Sequence, residues 1–247
     1  MKRILLLATF ALLSSCATNE FYQIYKTKPV SSASQGNMYE NAECRISYDF
    51  WGKGGDAGFT IYNKTSEPLT VNMDKSFYIV NGNAYDYYQA RTFTNATSET
   101  KAAYASTYLY KLNMASSSAV SSGHSTAYVE RPEVTIPAKS SKSFREYKIN
   151  LLYFAHCDLA KFPKKRQIKS VHFASSDSPF TFSNSITYQV NGKMMTTVHD
   201  FYVHEITNLP SREEVKKVRM EKCDRTVSGW RHMNESKENF YIEYKNK

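Results

Sequence analysis

From Cys44 onward, hydrophobic and polar residues alternate with the period of a β-strand. Ile46, Tyr48 and Phe50 interleave with Arg45, Ser47 and Asp49, which sends one set to a buried face and the other toward solvent. Gly52, Gly54, Gly55 and Gly58 then make a turn, and residues 59–62 resume the strand. A second turn over 63–68 leads to Leu69, Val71 and Met73. Residues 76–80 end on Asn81-Gly82, and Asn191-Gly192 joins 180–190 to 194–206. Asn-Gly supplies the two positive-φ residues that a two-residue hairpin needs. Further strands are expected over 128–136, 144–149, 168–173 and 240–244. Residues 94–126 break the alternation. They are crowded with Ser, Thr and Ala and read as a long loop, a kind that is usually functional or mobile. One helix is expected near 211–222, with Ser211 as its cap and Glu214 three residues on. Pro210 stops the strand before it, and Val215 and Val218 form its apolar edge. The pattern predicts an all-β protein with a short C-terminal helix, an immunoglobulin-like β-sandwich over 39–247.

The chain opens differently. Lys2 and Arg3 precede an apolar run over 4–13, then Ser14, Ser15 and Cys16. That is a secretory signal, too short for the roughly 20 apolar residues of a spanning helix. Leu13-Ser14-Ser15-Cys16 resembles the bacterial lipobox. The resemblance implies a signal peptide over 1–15, cut just before Cys16, whose thiol takes a diacylglyceryl group and whose new amine takes a fatty acyl chain such as palmitate. Ala17 rather than Asp follows, which by the same resemblance favours the outer membrane. Three acyl chains anchor firmly, because each buried methylene contributes about 0.8 kcal/mol. Residues 16–38 are then expected to form the lipidated N-terminus and a flexible tether, given Pro29 and the stretch from Ser31 to Gly36.

Composition narrows the partners. With 22% charged and 41% hydrophobic residues, the 247-residue chain is not disordered throughout, and its 19 Tyr and 14 Phe suit strands. The formal charge of +9 becomes +7 once Lys2 and Arg3 leave with the signal. A basic envelope protein meets lipid headgroups, lipopolysaccharide and acidic glycans before nucleic acid. The expected partners are therefore the membrane, through the anchor, and an envelope protein or glycan, with no nucleic acid. Lys161, Lys164, Lys165, Arg166 and Lys169 are the densest basic stretch, read either as an anion-binding loop or as a solvated one.

Candidate chemistry is sparse. Cys44, Cys157 and Cys223 follow Cys16, and an exported compartment permits disulfides; a Cys44–Cys157 bond leaving Cys223 free is expected, with three free thiols as the alternative. No Cys-x-x-Cys spacing supports zinc. Gly52-Lys53-Gly54-Gly55-Asp56-Ala57 has the loose form of a dinucleotide fingerprint but runs into a strand rather than a helix. His199, Asp200, His204 and Glu205 are metal-like residues, but regular alternation keeps them from converging unless a bulge intervenes. Neither a metal nor a cofactor is expected. Tyr85 and Tyr87, beside Arg91, suit either a sugar-stacking platform or a structural patch, with burial of both the expected outcome.

The segments 44–51, 76–82, 84–88 and 201–208 resemble an uncharacterised group of exported Gram-negative lipoproteins. The resemblance implies an exported, β-rich lipoprotein and carries over no catalytic residue. The expectation is a non-catalytic binding or scaffold module, lipid-anchored in the cell envelope. The rivals are an envelope hydrolase and a carbohydrate-binding adhesin.

Overall fold

The computed structural model describes residues 20–31, 36–109, 112–223 and 225–246, and for 93–128 and Lys222 the backbone only. Its strands are β1 (Glu20–Pro29), β2 (Met38–Glu40), β3 (Cys44–Tyr48), β4 (Phe59–Asn63), β5 (Leu69–Asn72), β6 (Phe77–Val80), β7 (Asn83–Asp86), β8 (Thr92–Leu109) and β9 (Leu112–Val129). There follow β10 (Glu133–Ile136), β11 (Ser141–Phe144), β12 (Ser170–His172), β13 (Thr181–Val190) and β14 (Lys193–Pro210). A single helical turn, α1 (Ser211–Glu214), leads to β15 (Val215–Lys222), β16 (Arg225–His232) and β17 (Asn239–Lys245).

Two sheets face each other. The larger runs β10-β5-β13-β14-β1-β17, with β6 joined to β13, β7 joined to β6 and β12 joined to β14; the smaller runs β11-β4-β3-β2. Ile46, Tyr48, Phe59 and Ile61 of the small sheet meet Phe182, Tyr188, Phe201 and Val203 of the large one in a single core. The alternation read from Cys44 holds: Cys44, Ile46 and Tyr48 are buried while Arg45 is exposed. Rings pack edge-on, as Phe50 does against Phe182 and Phe201 at 5.2 and 5.0 Å. Both Asn-Gly hairpins form, with positive φ at Asn81, Gly82, Asn191 and Gly192. The architecture is all-β and sandwich-like.

Three expectations fail. The tether expected over 16–38 is instead largely β1, an interior strand paired with β14 on one side and β17 on the other. Its run Phe21-Tyr22-Gln23-Ile24-Tyr25 is buried on both faces, because Tyr22, Ile24 and Leu209 form a second small core on the sheet's outer side. Residues 32–35 lie outside the described residues. The expected loop over 94–126 is a hairpin of two 18-residue strands, β8 and β9, in unbroken antiparallel register. The helix expected over 211–222 lasts only four residues. From Val215 the chain pairs with β16, since β-branched Val215, Val218, Thr226 and Val227 favour a pleated ribbon over a helix.

Candidate functional site

One end of the large sheet gathers residues far apart in sequence. At β1's first position, Glu20 lies opposite Lys245 and pairs with it at 2.9 Å. On β1's other side, β14 ends at Pro210 and α1 turns the chain into the β15–β16 ribbon. Glu214, fully buried, fixes the ribbon's root. Its carboxylate accepts from His232 Nδ1 at 3.1 Å and from Asn234 Nδ2 at 2.5 Å, so it does not serve the expected capping box. Tyr22, Trp51 and Tyr241 pack around the His232 ring at 5.4, 5.2 and 4.9 Å.

Beyond this root the ribbon is exposed and basic. Glu20, Tyr22, Arg212, Lys216, Lys217 and Trp230 line a groove of about 630 Å³. Trp230 is 72% exposed, against the half-buried Trp51. The basic stretch over 161–169 comes to the same end: Lys165 meets Glu213 at 3.6 Å, and Tyr244 donates its hydroxyl to the Lys161 carbonyl at 2.5 Å. Sequence reasoning saw the basic stretch over 161–169 but had no means of joining it to the lysines and arginines of 215–232. Such an end offers cations and an aromatic plane, which suit anionic groups on a surface.

The tyrosine patch divides. Strand β7 ends at Asp86, so Tyr85 and Tyr87 do not share a face. Tyr85 is 47% exposed, whereas Tyr87 is 1% exposed and donates to Asn184 Oδ1 at 2.5 Å. The expectation that both are buried fails for Tyr85. Arg91 is held by Glu130 and Glu146 at 2.5 and 2.6 Å. That hydrogen bonding from Arg91 pulls the Glu130 carboxyl down to about 2. The guanidinium is thus committed to its two carboxylates rather than to a sugar hydroxyl.

The histidines also part company. His199 is buried, stacked on Tyr39 at 3.6 Å, with Nδ1 2.6 Å from the Tyr48 hydroxyl and Nε2 2.8 Å from Thr197 Oγ1. Burial pulls its pKa down to about 4 and raises that of Tyr48. The phenol therefore keeps its proton and donates to Nδ1, and Nε2–H faces Thr197. A bulge does intervene farther along β14. The register skips from Lys26↔Glu205 to Thr27↔Val203, leaving His204 without a partner on β1. Donor atoms of His172, His204 and Glu205 consequently lie within 4.8 Å of one another. Glu205 is already engaged, however, by Lys26 Nζ at 3.0 Å and by Ser170 at 2.9 Å. A divalent cation would have to displace that ammonium.

Cys44, Cys157 and Cys223 are all free, so the expected Cys44–Cys157 disulfide is not formed. Cys44 is buried at the start of β3, and burial raises its thiol pKa, whereas Cys157 is exposed. Neighbouring His156 Nδ1 accepts from the Asp158 backbone N–H at 3.2 Å, which turns that nitrogen away from base duty toward Cys157. Cys16 lies outside the described residues.

No family model matches the sequence, and no curated protein matches it. Among solved structures, the chain aligns with the "Crystal structure of lysenin pore" at 11% identity and a TM-score of 0.15. The alignment covers 87% of this chain and 63% of that one. So low a score carries no argument about fold or function.

Proposed function

We propose that the chain is a lipid-anchored protein of the cell envelope, acting as a non-catalytic binding or scaffold module. The lipobox-like Leu13-Ser14-Ser15-Cys16 motivates the anchor. The observation that carries the reading is where the fold begins. Glu20 already opens an interior strand of the large sheet, four residues after Cys16. Fully extended, four residues reach about 14 Å. An acylated Cys16 would hold the body against the bilayer rather than on a long leash. The signal peptide over 1–15 and an outer-membrane address belong to the same proposal. The scaffold role finds support in the two ribbons, β8–β9 and β15–β16, since neither pairs with any other described strand. Open strand edges are sites where another chain can add.

Mass spectrometry of the membrane fraction tests the anchor. The expected result is a mature chain starting at acylated Cys16, and loss of salt-resistant membrane retention with Cys16→Ala. A Cys16→Ala chain that is still cut after residue 15 and still membrane-anchored would remove the reading.

A further inference from the structure

We propose that the β15–β16 ribbon is a second membrane contact, binding the phosphate headgroups of anionic phospholipid in the leaflet that holds the anchor. This rests on the lipid-anchor reading above, and it deepens it. Three independent features lead to it.

The first is position. Glu20 lines one groove with Lys216, Lys217 and Trp230. Glu20 is also within about 14 Å of Cys16 along the chain. A cysteine whose acyl chains are in the bilayer therefore places this groove at the headgroup layer.

The second is charge. Residues 215–232 carry six Lys and Arg against Glu221 and Asp224, and residues 161–169 carry five with no acid. The Lys165–Glu213 contact brings the two runs to one end. Basic clusters beside an anchor are the usual partners of anionic headgroups, and they bind through additive, salt-sensitive attraction.

The third is the pattern across the ribbon. Lys216 is opposite Arg231, Val218 is opposite Gly229, and Met220 is opposite Val227. These pairs fall on one face, because pairs two positions apart along a ribbon share a side. An apolar strip of Val218, Met220 and Val227 thus continues from a basic pair. Met220 and Val227 are 48% and 41% exposed. The Met220 methyl fills the space that a side chain at Gly229 would need, so the strip is continuous across the ribbon. The other face presents Lys217 opposite Trp230. Basic residues on both faces, with an apolar strip on one and an exposed indole on the other, match the interfacial zone of a bilayer. A nucleic acid or an acidic protein would use the charge, but neither accounts for the strip or for its place beside the anchor.

The test uses the full chain. Trp51 and Trp230 are its only tryptophans, so Trp51→Phe makes Trp230 the sole indole reporter. The chain is reconstituted through its own N-terminus in phosphatidylcholine vesicles with and without phosphatidylglycerol. Trp230 emission should shift blue and be quenched by brominated lipid only where phosphatidylglycerol is present, and both effects should fade in high salt. In the Cys16→Ala background, Lys216→Glu, Lys217→Glu and Arg231→Glu together should weaken binding to phosphatidylglycerol vesicles by more than about tenfold. Binding to neutral vesicles, where only the shared N-terminal segment acts, should not change. Thermal melting of the triple variant checks its fold; if that variant does not fold, the salt and quenching readouts on the unreversed chain decide. Trp230 emission indifferent to phosphatidylglycerol would overturn the proposal, as would charge-reversed chains that bind as tightly as their parent. Capture by an acidic protein or nucleic acid without any vesicle effect would also overturn it. The anchor is scored separately by the mass of Cys16. Acylated Cys16 with no vesicle effect rejects the ribbon alone, while unacylated Cys16 with the full effect rejects the anchor alone and supports the ribbon.

Discussion

Two ribbons leave the body of this protein, and they differ in length, charge and root. The β8–β9 hairpin has 18 residues a side, and residues 92–129 contain only three charged ones, Glu99, Lys101 and Lys111. The β15–β16 hairpin has eight a side and eight charged residues over 215–232. Their roots differ as well. Arg91 clamps the first between Glu130 and Glu146 in a partly exposed network, while buried Glu214 holds the second through His232 and Asn234. They also attach at different levels of the large sheet. Asp86, just before the long hairpin, aligns through Phe77 and Ser185 with Val198, whereas the basic ribbon follows Pro210. Twelve residues of β14 separate those levels, on the order of 40 Å at ~3.3 Å per residue. Two-stranded hairpins are marginal alone, so each depends on its root or on something outside the chain. The contrast teaches that the fold gathers a basic ribbon at the end of the sheet where β1 begins and extends a nearly uncharged arm from a different level.

If stability resides in the sandwich and the ribbons are appendages, core substitutions should dominate. Tyr87→Ala removes a buried ring and its bond to Asn184, and should cost about 3–5 kcal/mol. Tyr85→Ala, on an exposed ring, should change stability by less than about 1 kcal/mol. Denaturant melts of both would check this, and equal losses would blur the line between core and edge.

The same core should respond to pH. His199 is held neutral, with its pKa near 4 rather than 6.5, so the folded state binds fewer protons than the unfolded state between those values. Stability should be complete above pH 6.5, fall by up to about 3 kcal/mol down to pH 4, and level off below for this group. His199→Gln should flatten that window. A slope unchanged by the substitution would assign the loss to other groups.

The smallest effect tests the long arm itself. Replacing residues 94–127 by an Asn-Gly turn should move the stability of the body by less than about 1 kcal/mol, read by thermal melting, because among the described strands β8 and β9 pair only with each other. Loss of several kcal/mol would mean that the arm packs on the sandwich and would end the comparison between two free ribbons.

Local chemistry alone carried much of the fold. The alternation at 45–50 set which side chains enter the core, and Asn81-Gly82 and Asn191-Gly192 fixed two hairpins, because the side-chain period and positive φ are properties of the residues themselves. The basic stretch over 161–169 was equally plain in sequence. Four features needed the tertiary structure. Phe21–Tyr25 read as part of a tether until β14 and β17 covered both its edges. Ser211 and Glu214 have capping-box spacing, yet pairing with β16 outweighs helix propensity of only tenths of a kcal/mol per residue. A one-residue bulge at His204 overrides the alternation that keeps it from Glu205 and His172. The meeting of 161–169 with 215–232 beside Glu20 depends on long-range strand order. Period and turn chemistry act within a few residues, whereas strand partners are chosen by the burial of whole faces, which no short window of sequence contains.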